Sequence, residues 1–259
     1  KQSQRINAYV RYIHNLVDQQ TKIKNYSKAG MILFLHCELL AWEDIVVESR
    51  APGGKRTETQ MELKMRLYEQ IIGLYEQGQV YEKAISLIQE LSVQVKEKLC
   101  DYPRAALLLE REAKLYRDML TANRYPCEYF RVAYYGKGFA SNLRNKEFIY
   151  CGNPLERIGE FTERIQSKFP DAELMKTTEK PDPEVLNGQG MLIQLFMVKP
   201  FPVDMDSPFK SHANLPAKIR EYRTYMVDVN RFLYKRPFSK DKAMRKENEF
   251  KDLWTMDIF

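Results

Sequence analysis

The sequence predicts an α+β chain: an antiparallel α-helical array, loosely tetratricopeptide-like, followed by a mostly antiparallel two-sheet β-domain with one helix. Three observations predict it. Only Pro52 and Pro103 fall before residue 125, and the other ten of the twelve prolines follow it. Proline removes a helical hydrogen bond and clashes with the preceding turn, so the first half can be mostly helical and the second cannot. Apolar residues in the first half recur at three- and four-residue spacing, whereas the second half shows β-prone runs separated by turn residues. The expected units are residues 1–125 and 126–259.

Five helices are expected in order. Ile6, Val10, Ile13 and Val17 form the stripe of the first, and Ala29, Leu33, Cys37 and Leu40 that of the second, from about Tyr26 to Ala41. A Pro-, Gly- and charge-rich loop, Ser49 to Arg56, separates them from the third. Thr57 and Gln60 read as a capping box that starts it, Met61, Met65, Tyr68, Ile72 and Tyr75 as its stripe, and Gly78 as its stop. Tyr81, Ala84, Ile88, Leu91 and Val95 mark the fourth; Ala105, Leu108, Leu115 and Met119 mark the fifth. A faint repeat, Tyr26-Ser27-Lys28-Ala29 and Tyr81-Glu82-Lys83-Ala84, sets a small residue beside a bulky one near two helix starts.

Strands are expected at Phe130–Tyr135, Glu147–Tyr150, Leu192–Val198, Glu221–Val229, Arg231–Phe238 and Leu253–Phe259. One helix interrupts them, with Asn153 as cap, Pro154 in its first turn and Phe169-Pro170 as its end. Both faces of Leu192–Val198 are largely apolar, so both call for cover. Gln194 makes its own face the one to meet something polar.

The composition excludes several classes of function. Hydrophobic residues make up 44% and charged residues 29%, a balance that suits a globular rather than a disordered or membrane chain. No apolar run approaches the length of a spanning helix. Net charge is +6 and divides evenly between the halves, which argues against a dedicated nucleic-acid module. The densest basic stretch, Lys235 to Lys246, reads as a solvated loop. The four cysteines show no CxxC spacing, so no metal site is expected, and free thiols in a cytoplasmic setting are. His14, His36 and His212 lie far apart in sequence. Neither Gly53-Gly54-Lys55 nor Gly136-Lys137-Gly138 has the spacing of a nucleotide loop. No catalytic residues and no cofactor are expected, and the chain is not expected to be an enzyme.

One set of residues is more specific. Tyr134-Tyr135-Gly136-Lys137-Gly138-Phe139 leads into Leu143-Arg144-Asn145-Lys146-Glu147-Phe148-Ile149-Tyr150. Glu156-Arg157, Phe161, Arg164 and Phe169-Pro170-Asp171-Ala172-Glu173 follow, then Met175-Lys176-Thr177-Thr178 and Val198-Lys199-Pro200. Asn230-Arg231-Phe232, Tyr234, Arg236-Pro237, Glu247-Asn248-Glu249-Phe250 and Trp254 complete the series. In this order they resemble the middle lobe of the exchange region of the DOCK (dedicator of cytokinesis) family, Rac-directed branch. The Pro-rich stretch Pro200–Pro216 departs from that pattern.

The resemblance implies a region of three lobes: a helical array that dimerises, a pair of β-sheets that contacts a small GTPase, and a helical lobe whose loop expels nucleotide and magnesium. The chain is then expected to be the front part of a guanine nucleotide exchange factor for Rac-type Rho-family GTPases, stopping before the third lobe and unable to exchange nucleotide by itself. Its expected partners are the GTPase, a second copy through the helical half, and an upstream adaptor of the parent protein. The parent is expected to be cytoplasmic, recruited to the plasma membrane, and to signal to the actin cytoskeleton. The expected GTPase-binding residues are Gln194, Phe196, Asn230 and Arg231. The competing reading is a helical-repeat adaptor with no GTPase role.

Overall fold

The computed structural model describes residues 2–51, 54–177, 181–201, 216–223, 229, 231–237 and 249–255. It is α+β, and the chain divides into two compact units, Lys1–Ala122 and Asn123–Phe259.

The first unit is the helical array. It comprises α1 (Gln2–Lys22), α2 (Tyr26–Cys37), α3 (Gln60–Gln77), α4 (Tyr81–Glu97) and α5 (Tyr102–Thr121), each packed on the next in chain order. The stripe residues of α3 and α4 are all buried, and one apolar cluster runs from Ile13 to Leu115. Each Tyr-x-Lys-Ala repeat opens a helix, and Ala29 and Ala84 are both fully buried. Close packing explains two glycines of this unit. A Cβ at Gly30 would lie 2.6 Å from the Tyr75 ring, and one at Gly78 would lie 2.8 Å from the Ser27 backbone nitrogen. Gly78 does cap α3, but its φ is −82°; the left-handed turn falls on Gln79 at +57°.

The loop expected between the second and third helices is instead a β-hairpin. Strands β1 (Val46–Ala51) and β2 (Gly54–Thr59) pair in antiparallel register from Val46↔Thr59 to Ala51↔Gly54. Because β2 runs to Thr59, the capping box lies two residues beyond the expected one. Glu62 N donates to Thr59 Oγ1 at 3.1 Å, and Thr59 N donates to Glu62 Oε2 at 2.9 Å.

The second unit is built on a sheet of order β4-β3-β6-β7-β8. Its strands are β3 (Cys127–Tyr135), β4 (Lys146–Pro154), β6 (Leu192–Phe201), β7 (Arg231–Pro237) and β8 (Glu249–Thr255), while the short β5 (Glu173–Leu174) pairs with the start of β6. The β5–β6 pair is parallel and the others antiparallel. The two expected sheets are two ladders that share β6: its first residues meet β3 and β5, and its last, Lys199–Phe201, meet β7.

Helix α6 (Ile158–Gln166) is the expected interrupting helix, started by Arg157 and Glu160 rather than by Asn153. Two further short helices occur, α7 (Pro183–Asn187) and α8 (Ala217–Tyr222). Helix α8 takes the start of the strand expected at Glu221–Val229. Pro216 leads into Ala-Lys-Ile-Arg-Glu, a run in which helix formers dominate, and this local preference makes Ala217–Tyr222 helical. Residues 224–228 lie outside the described residues.

Candidate functional site

Strand β3 lies between β4 and β6, and the register decides which side chains meet. Arg131 sits opposite Ile149 on β4 and Phe196 on β6, and Ala133 sits opposite Glu147 and Gln194. Side chains alternate along a strand. Arg131, Tyr135, Glu147, Gln194 and Phe196 therefore share one face, and Phe130, Val132, Tyr134, Phe148 and Ile193 share the other. The second face is a core closed by α6, with Phe130 stacked on Phe161 at 4.1 Å between ring centroids.

The first face is polar at its centre, with Arg131 and Gln194 buried and Glu147 partly exposed. Arg131 is 5% exposed and Gln194 is 2% exposed. The guanidinium donates from Nε to Glu147 Oε2 at 3.0 Å and from Nη1 to Gln194 Oε1 at 2.7 Å. From Nη2 it reaches the Tyr135 hydroxyl at 3.2 Å and Glu147 Oε1 at 2.6 Å. Its plane lies 4.8 Å from the Phe196 ring centroid. Gln194 Nε2 donates to the Thr177 carbonyl at 2.8 Å, so both ends of this amide are engaged. Burial is the main cause that pushes the Tyr135 hydroxyl above the usual phenol range, while Arg131 pulls the other way. A buried guanidinium is tolerable only when its donors find acceptors. Here the acceptors come from β4, β6 and Tyr135 of β3 itself, so the group clamps three strands. Along the same face Tyr129, Ile149, Phe196, Val198, Val229 and Phe232 form an apolar cluster.

A second constellation gathers the sequence signatures. Asn145 accepts from Gly136 N at 3.1 Å and donates from Nδ2 to the Leu186 carbonyl at 3.2 Å. Lys137 N donates to the Gly188 carbonyl at 2.8 Å, and Arg144 Nη2 reaches the carbonyls of Lys137 and Phe139. Gly136 has φ +103°, and a Cβ there would lie 2.1 Å from the Gly190 carbonyl oxygen. The Tyr-Gly-Lys-Gly and Arg-Asn-Lys-Glu-Phe motifs are thus two sides of one loop junction that holds the ends of β3, β4 and β6. At the other end of the β3–β4 ladder, Glu156 and Arg164 form a two-pronged pair at 2.7 and 2.8 Å that fastens α6 to the chain leaving β4.

Of the four residues expected to bind a partner, the structure brings Gln194 and Phe196 together beneath Arg131. Arg231 opens β7, opposite Phe201 and Thr255, and is exposed. Asn230 lies outside the described residues. Arg131 and Glu147 were not among the expected site residues, although an arginine inside the run Phe130-Arg131-Val132-Ala133 is itself a signal of a buried partner. Among the described residues, no group of three or more His, Cys, Asp or Glu is placed to hold a metal ion. Likewise none of their helices is long and apolar enough to cross a membrane. The arrangement suits recognition by a braced surface, since every charged group at its centre is already neutralised internally.

Residues 178–256, which include β6, β7 and β8, match the family model for DHR-2, Lobe B. The chain is 36% identical over 247 residues to human dedicator of cytokinesis protein 3 and 34% identical over 247 residues to mouse dedicator of cytokinesis protein 4. Each alignment covers 95% of this chain and 12% of the relative. It is 24% identical over 255 residues to DOCK-like protein 1 of Saccharomyces cerevisiae, covering 98% of this chain and 13% of that protein. The chain therefore spans about an eighth of the length of the curated relatives it matches.

Proposed function

The chain belongs to the DOCK (dedicator of cytokinesis) family, and from that premise we propose that it is part of a guanine nucleotide exchange factor for Rac-type Rho-family GTPases. The observation that carries this reading is the lobe model lying on the strands of the sheet unit, with similarity to relatives along 95% of the chain. The sheet unit supplies GTPase contact. Arg231 contacts the GTPase, and Asn230, beside it in sequence, is assigned the same role, while Gln194 and Phe196 act from beneath by holding Arg131 and hence the register of the contacting strands.

The helical unit supplies self-association. On α5, Ala105, Leu108 and Leu115 face the core, and Tyr102, Leu109, Tyr116 and Leu120 are exposed on a line with near-heptad spacing. Tyr102 is 67% exposed and Leu120 is 63% exposed. Such a stripe suits a two-fold contact with its own copy. The parent protein acts in the cytoplasm, is recruited to the plasma membrane by an adaptor, and signals to the actin cytoskeleton.

Exchange needs more than binding. A thousandfold faster release requires roughly 4 kcal/mol of barrier lowering, which comes only from favouring the nucleotide-free GTPase over the loaded one. The test is capture of nucleotide-free against GTP-loaded Rac by the immobilised chain. Both forms should be retained without strong preference, because the resemblance assigns nucleotide expulsion to the third lobe, and Arg231→Glu should weaken retention about tenfold, as expected for reversing one interfacial charge. A folded chain that retains neither form overturns the reading in favour of the helical-repeat adaptor.

A further inference from the structure

The β1–β2 hairpin and the surface at its base take no part in the site described above. Strand pairing continues below Val46↔Thr59: Gln60 N donates to the Ile45 carbonyl at 2.8 Å, and Met61 N donates to the Glu43 carbonyl at 3.1 Å. The ladder thus runs down to the first turn of α3. It has two strands only, so among the described residues each keeps an outer edge with no strand beside it. A lone two-stranded ladder is marginal in water. This one is anchored by Glu58, 5% exposed, which receives Arg66 Nη2 at 2.6 Å.

A cavity of about 530 Å³ opens at the base, lined in part by Trp42, Glu43, Asp44, Met61, Glu62 and Met65. Next to it in the chain are two large apolar side chains in the open, Ile45 at 50% and Val46 at 66% exposure. The chain as a whole is +6, yet the cavity lining sets three carboxylates against the single ammonium of Lys98. That ammonium is already bound to the Trp42 carbonyl at 2.7 Å. Lys64 sits 5.0 Å from the centroid of the Trp42 ring, so the indole offers apolar contact and charge recognition falls to the carboxylates.

We propose that the outer edge of this hairpin and the cavity at its base together bind an extended segment of a partner protein in which lysine or arginine alternates with large apolar residues. Strand addition satisfies the open edge with main-chain hydrogen bonds. Alternation along the added strand then sends the apolar set of side chains toward Val46 on one face and a basic side chain into the acidic cavity at the base.

The probe is a short fluorescein-labelled peptide of alternating lysine and valine, titrated against the whole chain by fluorescence anisotropy. It should bind, and it should protect amides of residues 46–51 or 54–59 from hydrogen exchange. A lysine–serine peptide should bind about tenfold more weakly because it lacks the apolar set. Glu43→Lys combined with Asp44→Lys should weaken the lysine–valine peptide about tenfold. Both residues are exposed, and α3 keeps its own cap, so the double variant retains the fold. Equal binding of the two peptides, unchanged affinity in the variant, or protection confined to other elements overturns the proposal.

Discussion

The helical unit and the sheet unit use arginine differently. In the helical unit Arg104 pairs with Glu69 and Arg111 with Glu76, tying α5 to α3, and all four side chains are between 29% and 46% exposed. In the sheet unit each pair buries one partner: Arg131 is 6% exposed against Glu147 at 33%, and Glu156 is 7% exposed against Arg164 at 32%. The exception in the helical unit, Arg66 with a buried Glu58, sits where that unit has strands. A helix satisfies its backbone internally and is aligned by an apolar stripe, so ion pairs outside add little. A strand must find its register against a neighbour, and a slip of one residue turns every side chain to the wrong face. Buried polar clamps exclude that slip.

The sharpest way to break this comparison is Arg131→Met. It strands Glu147 and Gln194 without their donor and should cost about 3 kcal/mol of stability in the sheet unit. Urea unfolding followed by amide exchange in β3 measures it. Pairing the change with Glu147→Leu should restore about half of the loss, because an ion pair buried on its Arg131 side is replaced by apolar contact. A loss below about 1 kcal/mol, the range of surface pairs, would mean that the clamp does not specify the register.

A smaller effect separates the units by pH. His14 Nε2 and His36 Nδ1 lie 3.1 Å apart between α1 and α2. Burial, first among the causes, lowers both pKa values, that of His36 to about 4. The neighbouring imidazole and Arg66 add to the lowering at His36. Asp18 opposes it at His14, where Arg66 again lowers. The unfolded chain therefore takes up protons first. Stability of the helical unit is full above about pH 6.5, falls as pH drops toward about 4, and levels off below, by about 2 kcal/mol once solvent screening is allowed for. The described part of the sheet unit contains no histidine. Amide exchange at pH 7 and pH 4.5 should show α1 and α2 losing protection, and His36→Gln should flatten that response.

The smallest effect expected is that of Arg111→Ala. Although Arg111 reaches both oxygens of Glu76 at 2.6 and 2.9 Å, the pair is partly solvated and should contribute only about 0.5 kcal/mol. Thermal unfolding of the variant checks this, and a loss comparable to that of Arg131→Met would erase the contrast.

Legibility in the sequence followed the same divide. Met61, Met65, Tyr68, Ile72 and Tyr75 were readable as one buried stripe because their spacing is local, and Leu192–Val198 was readable as a strand because both its faces are apolar. The β1–β2 hairpin was not readable: its strands mix charges and threonines with no clean alternation, and Pro52-Gly53 looks like a loop. The Arg131 clamp was not readable either, since its partners lie 16 and 63 residues away and only the register brings them together. Gln194 was singled out as a polar group on an apolar strand. That polarity looks the same in sequence whether it serves a partner or a buried arginine, and in the structure it serves Arg131. The loop motifs carried the family signal, and Gly136 and Asn145 show why those residue types are needed at that junction.

The strand order also sets a clock on biosynthesis. Every helix of the first unit rests on its neighbour in the chain, so that unit can close as it leaves the ribosome. Strand β3 finds β4 quickly, but its other edge must await β6, and Arg131 waits 63 residues for Gln194. At roughly 5–20 residues per second, that is an interval of about 3–13 seconds. Throughout it the nascent chain carries an open strand edge with a half-paired guanidinium beside it, the kind of surface that chaperones cover and neighbouring nascent chains add to. The interval is fixed by the length of chain between β3 and β6, so lengthening that connection prolongs the exposure even where the finished sheet is no less stable.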